Sequence, residues 1–186
     1  GIETAEGRQQ IIKELYDKFF QGAFSVTADK LGIVYTPVEV VDYMIQAVER
    51  VMQRSLGASL GDKGVHILDP FTGTGTFITR ILRSGVIDPE NLEHKFRYEL
   101  HANEIVLLAY YIAAVNIEET FHGDGTSETY VPFDGLVLTD TFQMTESATA
   151  NQLRRDDVFI YNSRQVYNQL ETPIQVIISN PPYSVG

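Results

Sequence analysis

A chain of 186 residues, 44% hydrophobic and 11% aromatic, is long enough for one domain with a real core and too apolar to be disordered. It has no cysteine, which excludes a disulfide scaffold and a thiolate metal site, and no apolar run near the ~20 residues that cross a bilayer. A formal net charge of −11 works against a direct grip on nucleic acid, whose phosphates call for Lys and Arg. No secretory pattern opens the chain, so a cytoplasmic protein with no membrane partner is expected. His66, His94, His101 and His122 have no metal-ligand spacing, and no metal site is expected.

Residues 7–24 place Ile11, Ile12, Leu15, Tyr16, Phe19 and Phe20 at helical spacing, a packing helix within an N-terminal helical segment over residues 1–30. Thr36-Pro37-Val38-Glu39 then reads as a capping box with proline at the first helical position. The helix it starts carries Val38, Val41, Ile45, Val48 and Met52 along one face, down to about Leu56. An ordinary capped helix accounts for this pattern. The alternative is that Tyr35, Thr36 and Pro37 lie at a cleft, with the helix N-terminus facing an anionic group such as a carboxylate.

After a loop over residues 57–64, Val65-His66-Ile67-Leu68 reads as a short buried strand. It runs into Asp69-Pro70-Phe71-Thr72-Gly73-Thr74-Gly75-Thr76-Phe77 and then into a helix through Ile78, Ile81 and Leu82. Strand, glycine loop and helix open a doubly wound α/β fold, which binds ligands at the carboxyl ends of its strands. Gly73 and Gly75 let backbone approach a ligand closely. There is no Gly-Lys-Ser/Thr for a phosphate cradle, and the spacing is not that of a dinucleotide fingerprint. Asp69 at the strand end suits a ligand ammonium better than a pyrophosphate, which points to a nucleoside carrying an amino acid.

Residues 88–95 read as an inserted loop, and a second strand over residues 98–103 ends at Glu104. A carboxylate there can hold ribose hydroxyls, and Ile105 can lie against an adenine face. A helix follows through Leu107, Leu108, Tyr111, Ile112 and Val115, then a loop or hairpin over residues 122–134. A third strand over residues 135–139 leads to Asp140, which can accept from an adenine amino group, with Phe142 as a pocket wall. Residues 144–157 are polar and weakly patterned, and residues 158–170 form a helix into a last strand over residues 174–178. Two prolines stop that strand in Ser179-Asn180-Pro181-Pro182-Tyr183. The Asn180 side-chain oxygen and the Pro181 carbonyl can accept both hydrogens of an exocyclic amino group, while Tyr183 stacks on the base.

Taken in order, Tyr35-Thr36-Pro37, the run from Asp69 to Phe77, Asn103-Glu104, Asp140 and Asn180-Pro181-Pro182-Tyr183 resemble the gamma class of N6-adenine DNA methyltransferases, over residues 31–186. The leading helix and Leu31-Gly32-Ile33-Val34-Tyr35-Thr36-Pro37 look most like the methyltransferase part of large single-polypeptide restriction–modification enzymes that carry a helicase-like motor. The resemblance implies a Rossmann-like methyltransferase fold, α/β and mostly parallel, in sheet order 3-2-1-4 and truncated at its C-terminus. It implies S-adenosylmethionine as methyl donor. By it, Thr36, Asp69, Gly73 and Gly75 flank the methionine end, with Tyr35, Pro70, Thr72 and Phe77 among the further cofactor contacts. Glu104 then takes the ribose, and Ile105, Asp140 and Phe142 the adenine. Asn180, Pro181, Pro182 and Tyr183 become the catalytic motif, acting on an adenine flipped out of DNA.

The implied partners are DNA, held through regions outside this chain, and the remainder of a larger restriction–modification polypeptide. The chain ends three residues after Tyr183, so a fragment is expected, inactive by itself. Two other readings stay open. One is a glutamine or RNA methyltransferase sharing Asn-Pro-Pro-Tyr, the other a non-catalytic cofactor-binding module.

Overall fold

The computed structural model describes residues 36–123, 130–146 and 160–182. The helix expected over residues 7–24, and with it Tyr35 and Tyr183, lie outside the described residues. Four strands, β1 (His66–Asp69), β2 (Leu100–Glu104), β3 (Leu136–Leu138) and β4 (Ile174–Ile177), form one sheet in the order β3-β2-β1-β4. Every neighbouring pair is parallel, as the doubly wound reading and its strand order require. Parallel strands need crossover connections, and helices supply them. They are α1 (Val38–Leu56), α2 (Thr76–Arg83), α3 (Pro89–His94), α4 (Leu107–His122), α5 (Thr141–Glu146) and α6 (Ile160–Glu171). None of the described helices is long and apolar enough to cross a membrane.

The core joins the strand residues Ile67, Leu100, Ala102, Leu136 and Val176 to Val41 and Ile45 of α1, Phe77, Ile78 and Ile81 of α2, and Ala113 and Ile117 of α4. All five residues of β2 are buried, which fits an interior strand of a parallel sheet. A two-pronged ion pair between Arg80 and Asp42, with both N···O distances 2.7 Å, fixes α2 against α1. It holds the start of α1 near the loop that precedes α2.

Three local expectations change. The capping box does not form: Pro37 itself is the N-cap, with ψ 140°, and no side chain among the described residues caps the helix. The extended proline leaves Glu39 in the first turn and shifts the helix start past Thr36. Residues 88–95 are not a loop, because Asp88-Pro89 starts α3 and a π-helical turn, Lys95–Glu99, carries the chain into β2. Tyr98 therefore precedes the second strand instead of opening it. Helix α4 stands where expected. It buries Ala109, Ala113, Asn116 and Ile117, and leaves Leu107, Leu108, Tyr111 and Val115 exposed.

Candidate functional site

The carboxyl ends of the four strands converge on one edge of the sheet, and the chemistry gathers there. Asp69 ends β1 at 0% exposure. Its Oδ1 accepts from the Ser179 hydroxyl at 2.5 Å and from the Phe71 amide at 3.2 Å. Its Oδ2 is buried and has no hydrogen-bond donor among the described residues. Burial, opposed by those two bonds and reinforced by the nearby charge of Glu104, pushes the Asp69 carboxyl up to about 7. A buried carboxylate short of a donor is matched by a cationic N–H group arriving with a ligand.

The loop after Asp69 is built for approach from outside. The Thr72 hydroxyl bonds the Asp69 carbonyl at 2.9 Å, and the Thr72 amide bonds Asn103 O at 2.9 Å, so the turn is tied to β1 and to β2. Gly73 and Gly75 both adopt left-handed backbone, with φ 57° and 88°, but for different reasons. Among the described residues, a Cβ on Gly73 would meet nothing within 4 Å, so that side of the loop is open to them. A Cβ on Gly75 would sit 3.1 Å from the Ile117 side chain and 3.4 Å from the Ala113 Cα, so Gly75 lets α4 pack under the loop. Phe77 belongs to the hydrophobic core at 4% exposure and supports the loop from below. Pro70 is buried, and its carbonyl accepts from the Thr141 hydroxyl at 2.7 Å. Thr36 is half-buried just ahead of α1.

Glu104 ends β2, buried, with its carboxyl pushed up by that burial against backbone hydrogen bonds from Val106, Gly73 and Ile105. Its Oε2 accepts from the Gly73 amide at 2.8 Å and its Oε1 from the Val106 amide at 2.7 Å. Glu104 thus braces the glycine loop, and its three backbone hydrogen bonds leave lone-pair capacity for a hydroxyl. Beyond β3, Asp140 Oδ1 accepts from the amides of Phe142 and Gln143 at 3.0 and 3.3 Å, capping the start of α5. Ile105 and Phe142 are 57% and 59% exposed, large apolar side chains standing at strand ends beside polar groups. Phe142 pairs with Phe71, ring centroids 5.3 Å apart. At the end of β4 the Ile178 amide makes a last rung to Leu68 O at 3.0 Å, after which Ser179 and Asn180 are half-buried and Pro181 and Pro182 exposed.

The strand-end residues named from the sequence, Asp69 to Gly75, Glu104, Ile105, Asp140, Phe142 and Asn180 to Pro182, therefore share one edge. Phe71, Ser179 and Asn103 lie inside the quoted motifs but were given no role, and Thr141 and Asn116 were not picked out. Asn103 is buried and donates through Nδ2 to the Thr141 hydroxyl at 3.2 Å, and that hydroxyl in turn donates to Pro70 O, closing β2, β3 and β1 into one network. Asn116 donates from α4 to Thr74 O at 2.9 Å. Only a polar residue in the buried stripe of a helix could have drawn attention to it.

A family model described as N-6 DNA Methylase matches residues 7–186. The chain belongs to the N-6 DNA methylase family. Among solved structures it is similar to the Type ISP restriction-modification enzyme LlaGI, seen as a nuclease-deletion mutant with a DNA substrate mimic. That match has 52% identity and a TM-score of 0.85, and covers 100% of this chain and 15% of that one. The ATP-dependent Type ISP enzyme LlaBIII bound to DNA gives 52% identity and a TM-score of 0.85 over 100% of this chain and 13% of that one. A DrdV–DNA complex gives 40% identity and a TM-score of 0.84 over 96% of this chain and 17% of that one. No curated protein matches. The N-6 DNA methylase chain described here thus corresponds to a small part of much larger restriction–modification enzymes, in keeping with the narrower resemblance read from its motifs.

Proposed function

We propose that this domain binds S-adenosylmethionine at the carboxyl ends of β1, β2 and β3 and methylates N6 of an adenine flipped out of DNA. It would do so in the cytoplasm, within a larger restriction–modification polypeptide whose other regions grip the DNA. The observation that carries the reading is Asp69, a fully buried carboxylate at the foot of the glycine loop whose Oδ2 lacks a donor among the described residues. The α-ammonium of an amino acid is the donor that fits it. Gly73 offers open backbone to the same end of the ligand, Glu104 has lone pairs for ribose hydroxyls, and Ile105 and Phe142 offer apolar faces to an adenine. Thr36, Pro70, Thr72 and Asp140 complete the surround, Phe77 supports it from the core, and the family motif would add Tyr35 as a further contact.

When bound, S-adenosylmethionine supplies an electrophilic methyl group on a sulfonium. The chain's task is then to present the nucleophile. Adenine N6 is a poor one, because its lone pair is delocalised into the ring. The Asn180 side-chain oxygen and the Pro181 carbonyl would accept the two N6 hydrogens and hold the lone pair toward the methyl carbon, with Tyr183 stacked on the base. Pro182 keeps the segment from pairing onward as sheet. No residue needs to act as base before transfer, since the proton leaves once N6 is cationic. The family match favours DNA over glutamine or RNA as the substrate of this shared motif.

Asn180→Ala in the full-length polypeptide tests this. Incorporation of labelled methyl groups into DNA should fall by a factor of ~100–1,000, the usual effect of removing a preorganised transition-state partner. Cofactor affinity by calorimetry should stay nearly intact. Wild-type turnover in that variant would remove Asn180 from the chemistry and with it the proposed function.

A further inference from the structure

Resting on that reading, we infer that Ser179 is a positioning residue that couples occupation of the cofactor site to the order of the target-base loop. The geometry is a junction between two segments far apart in sequence. Backbone pairing between β1 and β4 ends at the rung from the Ile178 amide to Leu68 O. One residue further on, the Ser179 hydroxyl crosses to Asp69 Oδ1 at 2.5 Å, so a side chain continues the tie where the prolines stop the ladder. Ser179 immediately precedes Asn180, whose carbonyl oxygen must be aimed at the base. Its partner is the carboxylate that offers its other oxygen, Oδ2, to the pocket.

The two oxygens belong to one delocalised group, and this is what turns a contact into a coupling. A hydroxyl donates about twice as strongly to an ionised carboxylate as to a neutral acceptor. Asp69 is fully buried and faces the charge of Glu104, so without a cation its anionic form is disfavoured. A ligand ammonium at Oδ2 favours the anion, strengthens the Ser179 bond at Oδ1, and so fixes the backbone that leads into Asn180 and Pro181. Linkage makes the effect reciprocal: a base seated against Asn180 and Pro181 tightens the cofactor. A hydroxyl that merely finished the strand would affect stability but would not transmit ligand state.

The test uses the full-length polypeptide and a duplex with 2-aminopurine at the mapped methylation position, whose fluorescence reports extrusion of the base. Two probes separate the ammonium from the nucleoside: S-adenosylhomocysteine carries the amino acid, and methylthioadenosine lacks it. With wild-type protein, S-adenosylhomocysteine should tighten the extruded complex and methylthioadenosine should do so far less. In Ser179→Ala the enhancement by S-adenosylhomocysteine should drop about tenfold, the loss of a hydrogen bond to a charged group, with the thermal midpoint near wild type. Ser179→Thr, which keeps the hydroxyl, should restore it. An undiminished enhancement in Ser179→Ala, or no enhancement in a wild-type enzyme that does methylate DNA, overturns the coupling. A wild-type polypeptide that methylates no DNA overturns the underlying function instead.

Discussion

Two buried carboxylates sit at opposite ends of the sheet and are treated in opposite ways. Glu99 leads into β2 at 3% exposure. It meets Lys95 Nζ at 2.6 Å and accepts from the Gly64 amide at 2.6 Å, with His94 Nε2 at 3.1 Å. Burial alone would raise its pKa, but the bonds from Lys95 and Gly64 and the charges of Lys95 and His94 prevail and hold it below the usual range. Lys95 is equally enclosed and spends its remaining donors on Asp62 O and Val65 O, at 2.5 and 2.9 Å. Asp69 has no such cation among the described residues, and burial prevails there. At one edge a buried charge is compensated within the chain and pins a loop. At the other it is left short, which is where a ligand is expected to complete it.

The largest effect should come from breaking the compensated end. Lys95→Ala strands a buried Glu99 anion and two loop carbonyls, and removal of one partner from a buried pair costs about 3–5 kcal/mol. Urea unfolding of the chain should show a loss of that order. Lys95→Met, which keeps the volume, should still destabilise, because Glu99 remains. A change below about 0.5 kcal/mol, the usual size for surface sites, would mean that the Lys95–Glu99 pair is not the fastener described.

That pair also marks where the sequence was hard to read. The strands, the glycine loop and the acids at the strand ends were legible in short β-rich runs followed by Asp, Glu or Pro-Pro, and the sheet order followed from the family resemblance. Lys95 and Glu99 resembled any surface charges four apart, and a π-helical turn has no sequence signature of its own. The buried face of helix α4 has no clear local signal either. Its larger apolar residues, Leu107, Leu108, Tyr111 and Val115, are exposed, while Gly75, lacking a Cβ, admits the Ile117 side chain and the Ala113 backbone close beneath the loop. The Ser179–Asp69 contact joins positions 110 apart, and neither local pattern contains it.

A smaller effect, and a sharper test of the comparison, comes from Asp69→Asn. Cofactor affinity should fall by about 1.5–3 kcal/mol, the value of a hydrogen bond to a charged group. Stability should move the other way. An acid held near 7 in the folded chain but ionising near 3.9 when unfolded favours folding at low pH, and that contribution disappears as pH rises through 7. Asn carries no such loss, so the variant should match wild type near pH 4 and exceed it at pH 8. Glu99, held low, has the reverse sign: its contribution is present above the ordinary carboxylate range and is lost in acid. A destabilised Asp69→Asn at pH 8 would show that Asp69 is compensated after all.

The smallest expected effect is the pH dependence of cofactor binding itself. If the ligand ammonium binds ionised Asp69, then below about 7 each binding event must expel a proton. Affinity should then fall with acidity, approaching tenfold per pH unit, or about 1.4 kcal/mol. The window from about pH 5.5 to 7 lies under the range of ~7.7–8.0 in which an α-amino group begins to lose its charge, so the slope there belongs to the protein. Glu104 is the neighbour able to contribute, since burial raises it as well. Asp69→Asn separates the two, because any slope that survives in it belongs to Glu104. Calorimetry at pH 6 in buffers of different ionisation enthalpy should register close to one proton released per cofactor bound by wild type, and markedly fewer at pH 8. No proton release at pH 6 would mean that Asp69 is already ionised before the ligand arrives, and the contrast with Glu99 would vanish.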